Sequence, residues 1–231
     1  MVSMAATAPA FAASCGATTY AYTLDWNTAT INTSTSGNAV TATTSITGPA
    51  GSSAILATFK STTTGSVTRD SDNLTVSSET NVGNLGGKAL NISHSSPITA
   101  GSGNRQTVAI SFNRAVTGLN FYISDIDSSL TNVGSQRNPV YSGWWDRVSL
   151  TGTYTPNRDT NLRGSGTSND PWYYNDSDTN VGNEAAGARV KVTYSGTIAA
   201  NTTITLEYWT TQAGGNQRIF LTDFGFDAKG C

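Results

Sequence analysis

The chain has 231 residues, of which 37% are hydrophobic and only 12% charged, with a formal net charge of −2; that length suits one large β-sandwich or two small domains. Aromatic residues at 9%, five of them Trp, exclude a disordered polymer, which would combine few rings with high net charge. The thirteen Lys and Arg stand singly, without a run or stripe, so nucleic acid and anionic membrane surfaces are not expected partners.

Met1–Ser14 is rich in Ala and contains Ala10-Phe11-Ala12, the small-x-small pattern of a secretion cleavage site. We read 1–14 as the remnant of a secretion signal or a flexible N-terminus, and 15–231 as a single β-sandwich domain exposed outside the cell. The two cysteines, Cys15 and Cys231, lie at opposite ends of that domain. In an oxidising compartment they read as one disulfide joining the termini. The alternative is a lipidated Cys15, since Ala12-Ala13-Ser14-Cys15 resembles a weak lipobox. No stretch of about 18 apolar residues forecasts a transmembrane segment.

Helical periodicity is nearly absent along the chain, whereas alternation with a period of two recurs. Strands are expected near Tyr20–Trp26, Ala39–Thr47, Ala54–Lys60, Asn73–Ser77 and Lys88–Ser93. Stronger alternation marks Val108/Ile110/Phe112, Leu119/Phe121/Ile123, Val148/Leu150, Val190/Val192/Tyr194 and Ile204/Leu206/Tyr208, and Arg218–Asp227 closes the series. Gly-, Asn- and Pro-rich clusters separate them. The fold class is therefore all-β, an antiparallel sandwich or jelly roll. Thr-Asn-Val-Gly occurs at Thr80–Gly83, Thr131–Gly134 and Thr179–Gly182, which we attribute to shared turn chemistry.

Catalytic material is sparse. His94 is the one histidine, so any Ser-His-Asp triad or histidine metal site must pass through it. Its Ser- and Asn-rich surroundings predict a surface loop. No nucleophile elbow, zinc-protease or phosphate-loop motif is present, and we expect no enzymatic activity.

The segment Phe112-Asn113-Arg114-Ala115-Val116-Thr117-Gly118-Leu119-Asn120-Phe121-Tyr122-Ile123-Ser124-Asp125-Ile126-Asp127, followed by Trp145-Asp146-Arg147-Val148, resembles a pattern of bacterial secreted and cell-surface, adhesin-like β-sandwich proteins. The resemblance implies fold and location more than activity. Asp125 and Asp127 share strand parity with Leu119, Phe121 and Ile123, and Asp146 with Val148 and Leu150. Carboxylates continuing a core-facing row need cations or donors. They either bind calcium as a bracing ion, or pair with Arg114 or Arg147 or accept loop N–H bonds.

Two aromatic clusters, Trp144-Trp145 and Trp172-Tyr173-Tyr174, follow. Trp144, Trp172, Tyr173 and Tyr174 are candidate platforms for a glycan face or a protein partner, with burial over the sandwich end as the alternative. The expected function is a secreted or surface-exposed, non-catalytic structural or adhesive protein, contacting a glycan or protein surface or assembling with itself. The alternatives are a carbohydrate-binding module and a secreted glycan hydrolase using Asp pairs.

Overall fold

A computed structural model describes residues 16–96, 101–132, 134–138, 141–212 and 214–230. Strands occupy β1 (Thr19–Leu24), β2 (Asn32–Ser36), β3 (Ala39–Ile46), β4 (Ile55–Thr63), β5 (Thr68–Arg69), β6 (Leu90–Ser96), β7 (Arg105–Phe112), β8 (Val116–Ser124) and β9 (Ser128–Asn132). They continue with β10 (Tyr141–Leu150), β11 (Tyr154–Arg158), β12 (Leu162–Arg163), β13 (Tyr173–Tyr174), β14 (Val190–Tyr194), β15 (Thr197–Ile198), β16 (Ile204–Thr210), β17 (Gly215–Leu221) and β18 (Phe224–Lys229). Among the described residues there is no α-helix, and none long and apolar enough to cross a membrane.

Two large antiparallel sheets face each other. One runs β2-β3-β4-β7-β16-β10-β9. The other runs β1-β18-β8-β17-β6-β5, with β14 and β15 also on β8 and β11 on β14. In the strands that line the core, β-branched and aromatic residues point alternately inward, because successive side chains leave a strand on opposite faces. In β7 the burial pattern alternates strictly, with Val108, Ile110 and Phe112 fully or almost fully buried. Rings lock the layers together: Phe59 of β4 meets Phe224 of β18 edge-on at 5.7 Å, and Phe112 of β7 meets Phe226 of β18 at 5.1 Å. One core cluster draws residues from Tyr22 to Ala228.

The first and last described segments lie together. The Gly16 amide donates to the Gly230 carbonyl at 2.7 Å, and β1 pairs with β18 from Thr19↔Lys229 onward. Cys15 and Cys231, each one residue beyond this pair, lie outside the described residues.

Some expectations require correction. The strand expected at 73–77 is a turn with one bridge, Val76↔Leu90; Leu74 takes φ +60° there. The region 218–227 is two strands, β17 and β18, broken at Thr222–Asp223. The row Leu119/Phe121/Ile123 does not extend to the aspartates. The strand stops at Ser124, and Asp125 adopts φ +68°, a left-handed conformation that Asp tolerates better than most residues.

That turn has a topological result. Residues 125–127 carry the chain from β8 in one sheet to β9 in the other. β17 pairs with β6 along its whole length but with β8 only at Phe220 and Leu221. Its earlier half is therefore left without a neighbour from β8, and a cavity opens there.

Candidate functional site

The cavity has a volume of about 370 Å³. Its buried floor is made by Ser93 of β6, Gln217 of β17 and the crossover residues Asp125 and Asp127. Trp144 of β10 and Arg218 of β17 form half-buried walls; Asp70, Asp72, Asn180 and Asn216 stand nearer the mouth.

The carboxylates beneath and beside it are held in a short network. Asp146 is fully buried in β10, on the side of Val148 and Leu150, as its parity predicts. Its Oδ1 accepts from the Tyr208 hydroxyl at 2.8 Å and its Oδ2 from the Asp127 amide at 3.3 Å. The Asp146 amide donates to the Asp127 carbonyl at 3.0 Å. Asp127 in turn accepts the Trp144 indole Nε1–H at 2.7 Å on Oδ1 and the Val181 amide at 2.6 Å on Oδ2. Asp125 is 8% exposed, and its carboxylate makes no hydrogen bond among the described residues.

Burial drives the electrostatics. It pushes Asp125 well above the usual carboxylate range, the Asp127 charge adding to it and Arg218 opposing it. It raises Asp127 to about 6, against the lowering effect of its Trp144 and Val181 hydrogen bonds. Asp146 is likewise held well above the carboxylate range by burial and by the Asp127 charge. These are the shifts expected where desolvation disfavours the charged form.

The structure thus brings Asp125, Asp127 and Asp146 together, Asp127 and Asp146 as a protein-bonded pair and Asp125 beside them without a hydrogen bond. Among the described residues no group of three or more His, Cys, Asp or Glu side chains is placed to hold a metal ion. The expected pairings with Arg114 or Arg147 do not form. Arg114 bonds to Tyr22, Ser53 and Lys229. Arg147 lies 4.1 Å from the Trp145 ring centre and 4.5 Å from that of Tyr173. Loop N–H acceptance, the other alternative for these acids, is what Asp127 does through Val181.

The aromatic platform is dispersed. Trp172 is fully buried. Its backbone exchanges two hydrogen bonds with Val148, at 2.8 and 3.0 Å, and Tyr154 packs against its ring at 5.6 Å. Gly166, at φ +82°, fits beneath it only because it lacks a Cβ, which would lie 2.3 Å from the indole. Tyr174 is also buried. Tyr173 is half-buried and engaged with Arg147 and Trp145. Of the four candidate rings, Trp144 alone lines the cavity.

His94 overturns the surface-loop expectation: it is fully buried in β6. Its Nδ1 is 3.0 Å from Gln106 Oε1, and its ring sits edge-on to Tyr208 at 4.7 Å. Burial depresses its pKa to about 4, with Gln106 and Gln217 acting in the opposite direction. Gln217 lies beside the ring, yet neither His94 Nε2 nor Gln217 Oε1 attains hydrogen-bond geometry with any group among the described residues. Ser93 Oγ is also without a partner.

Asp70, Asp72, Ser93, Asn180, Asn183, Asn216, Gln217 and Arg218 were not legible as site residues. One sequence signal bore on them: the Thr-Asn-Val-Gly repeat. The first copy meets the residues that follow the third, the Gly83 amide donating to the Asn183 carbonyl at 2.8 Å and Glu184 accepting from the Thr80 and Asn81 amides. The third copy supplies both Asn180 and the Val181 amide that grips Asp127.

No protein-family model matches the chain, and comparison with curated proteins and with solved structures gives no match either.

Proposed function

We propose that the chain is an extracellular, non-catalytic binding protein of adhesive type that recognises carbohydrate through the cavity between β6, β17 and the β8–β9 crossover. The observation that carries this reading is the composition of the wall: one indole among carboxylates, carboxamides and a guanidinium. Sugars present C–H faces that suit an indole and hydroxyls that pair with planar polar groups. Trp144 is fixed in place by its bond to Asp127, so little ordering cost remains on binding. A non-catalytic role is favoured because His94 is sealed in the core and both Asp127 oxygens are engaged by protein donors. The Ala10-Phe11-Ala12 pattern and the Thr-, Ser- and Asn-rich surface support a location outside the cell.

The test is retention on insoluble polysaccharides and binding to an oligosaccharide panel, repeated with Trp144→Ala. Binding that the substitution removes supports the reading. Failure of the intact protein to bind any glycan overturns it.

A second reading, glycan hydrolysis, is favoured by one observation. Asp125 lines the cavity and burial raises its pKa well above the usual carboxylate range, the direction of shift a general acid requires. Release of reducing sugar by the wild type, lost in Asp125→Asn, would establish it, whereas an inert wild type removes it.

A further inference from the structure

Resting on the carbohydrate reading, we propose that the cavity selects a cationic sugar, a hexosamine whose free ammonium group sits against Asp125 while its ring lies on Trp144. Charge is the first reason. Four carboxylates, Asp70, Asp72, Asp125 and Asp127, line the cavity against one guanidinium, that of Arg218. Arg218 is itself engaged by Glu79 at 3.5 Å, so its charge is partly offset from behind. The whole chain carries 15 acidic and 13 basic residues, and the local excess of four to one is not a reflection of its overall balance. A cavity of one sign concentrates ligands of the other.

A second, independent observation points to a ligand. Ser93 and Gln217 are 3% and 2% exposed. Both line the cavity, and Ser93 Oγ and Gln217 Oε1 have no hydrogen-bond partner. Buried polar atoms are nearly always satisfied in folded proteins, and leaving one unpaired is destabilising. The Ser93 hydroxyl and the Gln217 carboxamide can each pair with an N–H or O–H of whatever enters. Asp125 asks for the same: a buried carboxylate without a hydrogen bond, its pKa raised by burial and by the Asp127 charge.

Size and geometry separate an organic cation from a metal. A divalent ion favours several carboxylate oxygens converging on one point, and no group of three or more His, Cys, Asp or Glu side chains is so placed among the described residues. Here the carboxylates are distributed around a volume of about 370 Å³, near the lower end of ordinary ligand pockets. A cation carried on a sugar ring fills that space and reaches several walls at once. The indole contributes twice, to the sugar face and to the positive charge.

The experiment is isothermal titration calorimetry of the full chain with three oligosaccharides of equal length. These are a glucosamine oligomer, its N-acetylated counterpart and a glucose oligomer, with calcium chloride as a separate titrant. The expected result is that the amine binds about tenfold or more tightly than the other two, the scale of a hydrogen bond to a charged group. Asp125→Asn should remove that preference while leaving residual binding to all three sugars; a cooperative thermal transition no lower than that of the wild type reports that the fold is intact. Equal affinity for the three sugars overturns the amine proposal and leaves the carbohydrate reading standing. No binding to any of them overturns both. Calcium binding that depends on Asp125, with no amine preference, assigns the cavity to a metal and also overturns the proposal.

Discussion

Asp127 and Asp146 hold each other through the backbone: the Asp146 amide donates to the Asp127 carbonyl at 3.0 Å, and the Asp127 amide returns a bond to the Asp146 carboxylate at 3.3 Å. This exchange anchors the crossover between sheets to β10. It also places three carboxyl groups in one poorly hydrated region, where burial raises all three and the Asp127 charge further opposes ionisation of Asp125 and Asp146.

The protein is therefore expected to be more stable in mild acid than at neutral pH. Asp127 is raised from 3.8 to about 6, and Asp125 and Asp146 are raised well above the usual carboxylate range. Across pH 4–6 the folded state holds protons on these acids that the unfolded state releases, so stability falls as pH rises through that window. His94 acts in the opposite sense, because its folded pKa of about 4 lies below the unfolded value of 6.5. Three acids against one imidazole leave a net fall. Thermal melts near pH 5 and pH 7.5 check the sign, and a transition that rises toward neutrality contradicts it.

Asp125→Asn should raise the melting temperature at pH 7.5 by roughly 3–6 °C, equivalent to about 1–2 kcal/mol in a domain of this size. Asn accepts the left-handed backbone at φ +68° as readily as Asp, and it removes a buried charge that has no hydrogen bond. The variant should also show a flatter dependence on pH. An unchanged melting temperature at both pH values would mean that Asp125 is not charged in the native protein.

The two tryptophans should separate stability from binding. Trp172→Ala leaves a large void beneath Tyr154 and Gly166 and should destabilise by about 3–5 kcal/mol. Trp144→Ala removes a half-buried ring and one bond to Asp127, so about 1–2 kcal/mol is expected, together with loss of glycan retention. Chemical denaturation of both variants measures the difference; equal losses would contradict the buried position of Trp172.

The imidazole of His94 should not titrate in the range where histidines normally do. Its ring proton resonances should hold constant from about pH 8 to pH 5, since burial depresses its pKa to about 4. A midpoint near 6.5 would place the ring in water.

The Gly16–Gly230 bond at 2.7 Å brings the flanks of Cys15 and Cys231 together. Intact-mass measurement without reductant should find a chain lighter by the two thiol hydrogens, and reduction should lower the melting temperature. A mass carrying acyl chains on Cys15 would instead establish lipidation.

The sandwich was legible because alternation is a local signal: β7, β14 and β16 could be read from three apolar residues each. The strand ends were not. Nothing local marks Ser124 as the last residue of β8, since Asp125 and Asp127 continue the same parity; the left-handed turn that ends it is a tertiary decision. The sequence leaves Trp172 open between platform and burial for a related reason. Its Asp- and Gly-rich neighbours describe an exposed loop, and only Gly166, six residues earlier, makes the slot that buries it. His94 looked like a surface residue because Ser and Asn surround it, whereas those small polar side chains fill the interior of β6 alongside it. The cavity itself joins Asp70 to Arg218, and no window along the chain spans that distance.

The opening beside β17 is produced by a strand departing from its sheet, not by small side chains beneath a lid. Its walls can accordingly be exchanged without dismantling the apolar layer between the sheets. A descendant that replaced Asp70, Asn180 or Asn216 would keep the same architecture around a differently lined opening. The rim of this scaffold is free to drift while the body that carries it stays constant.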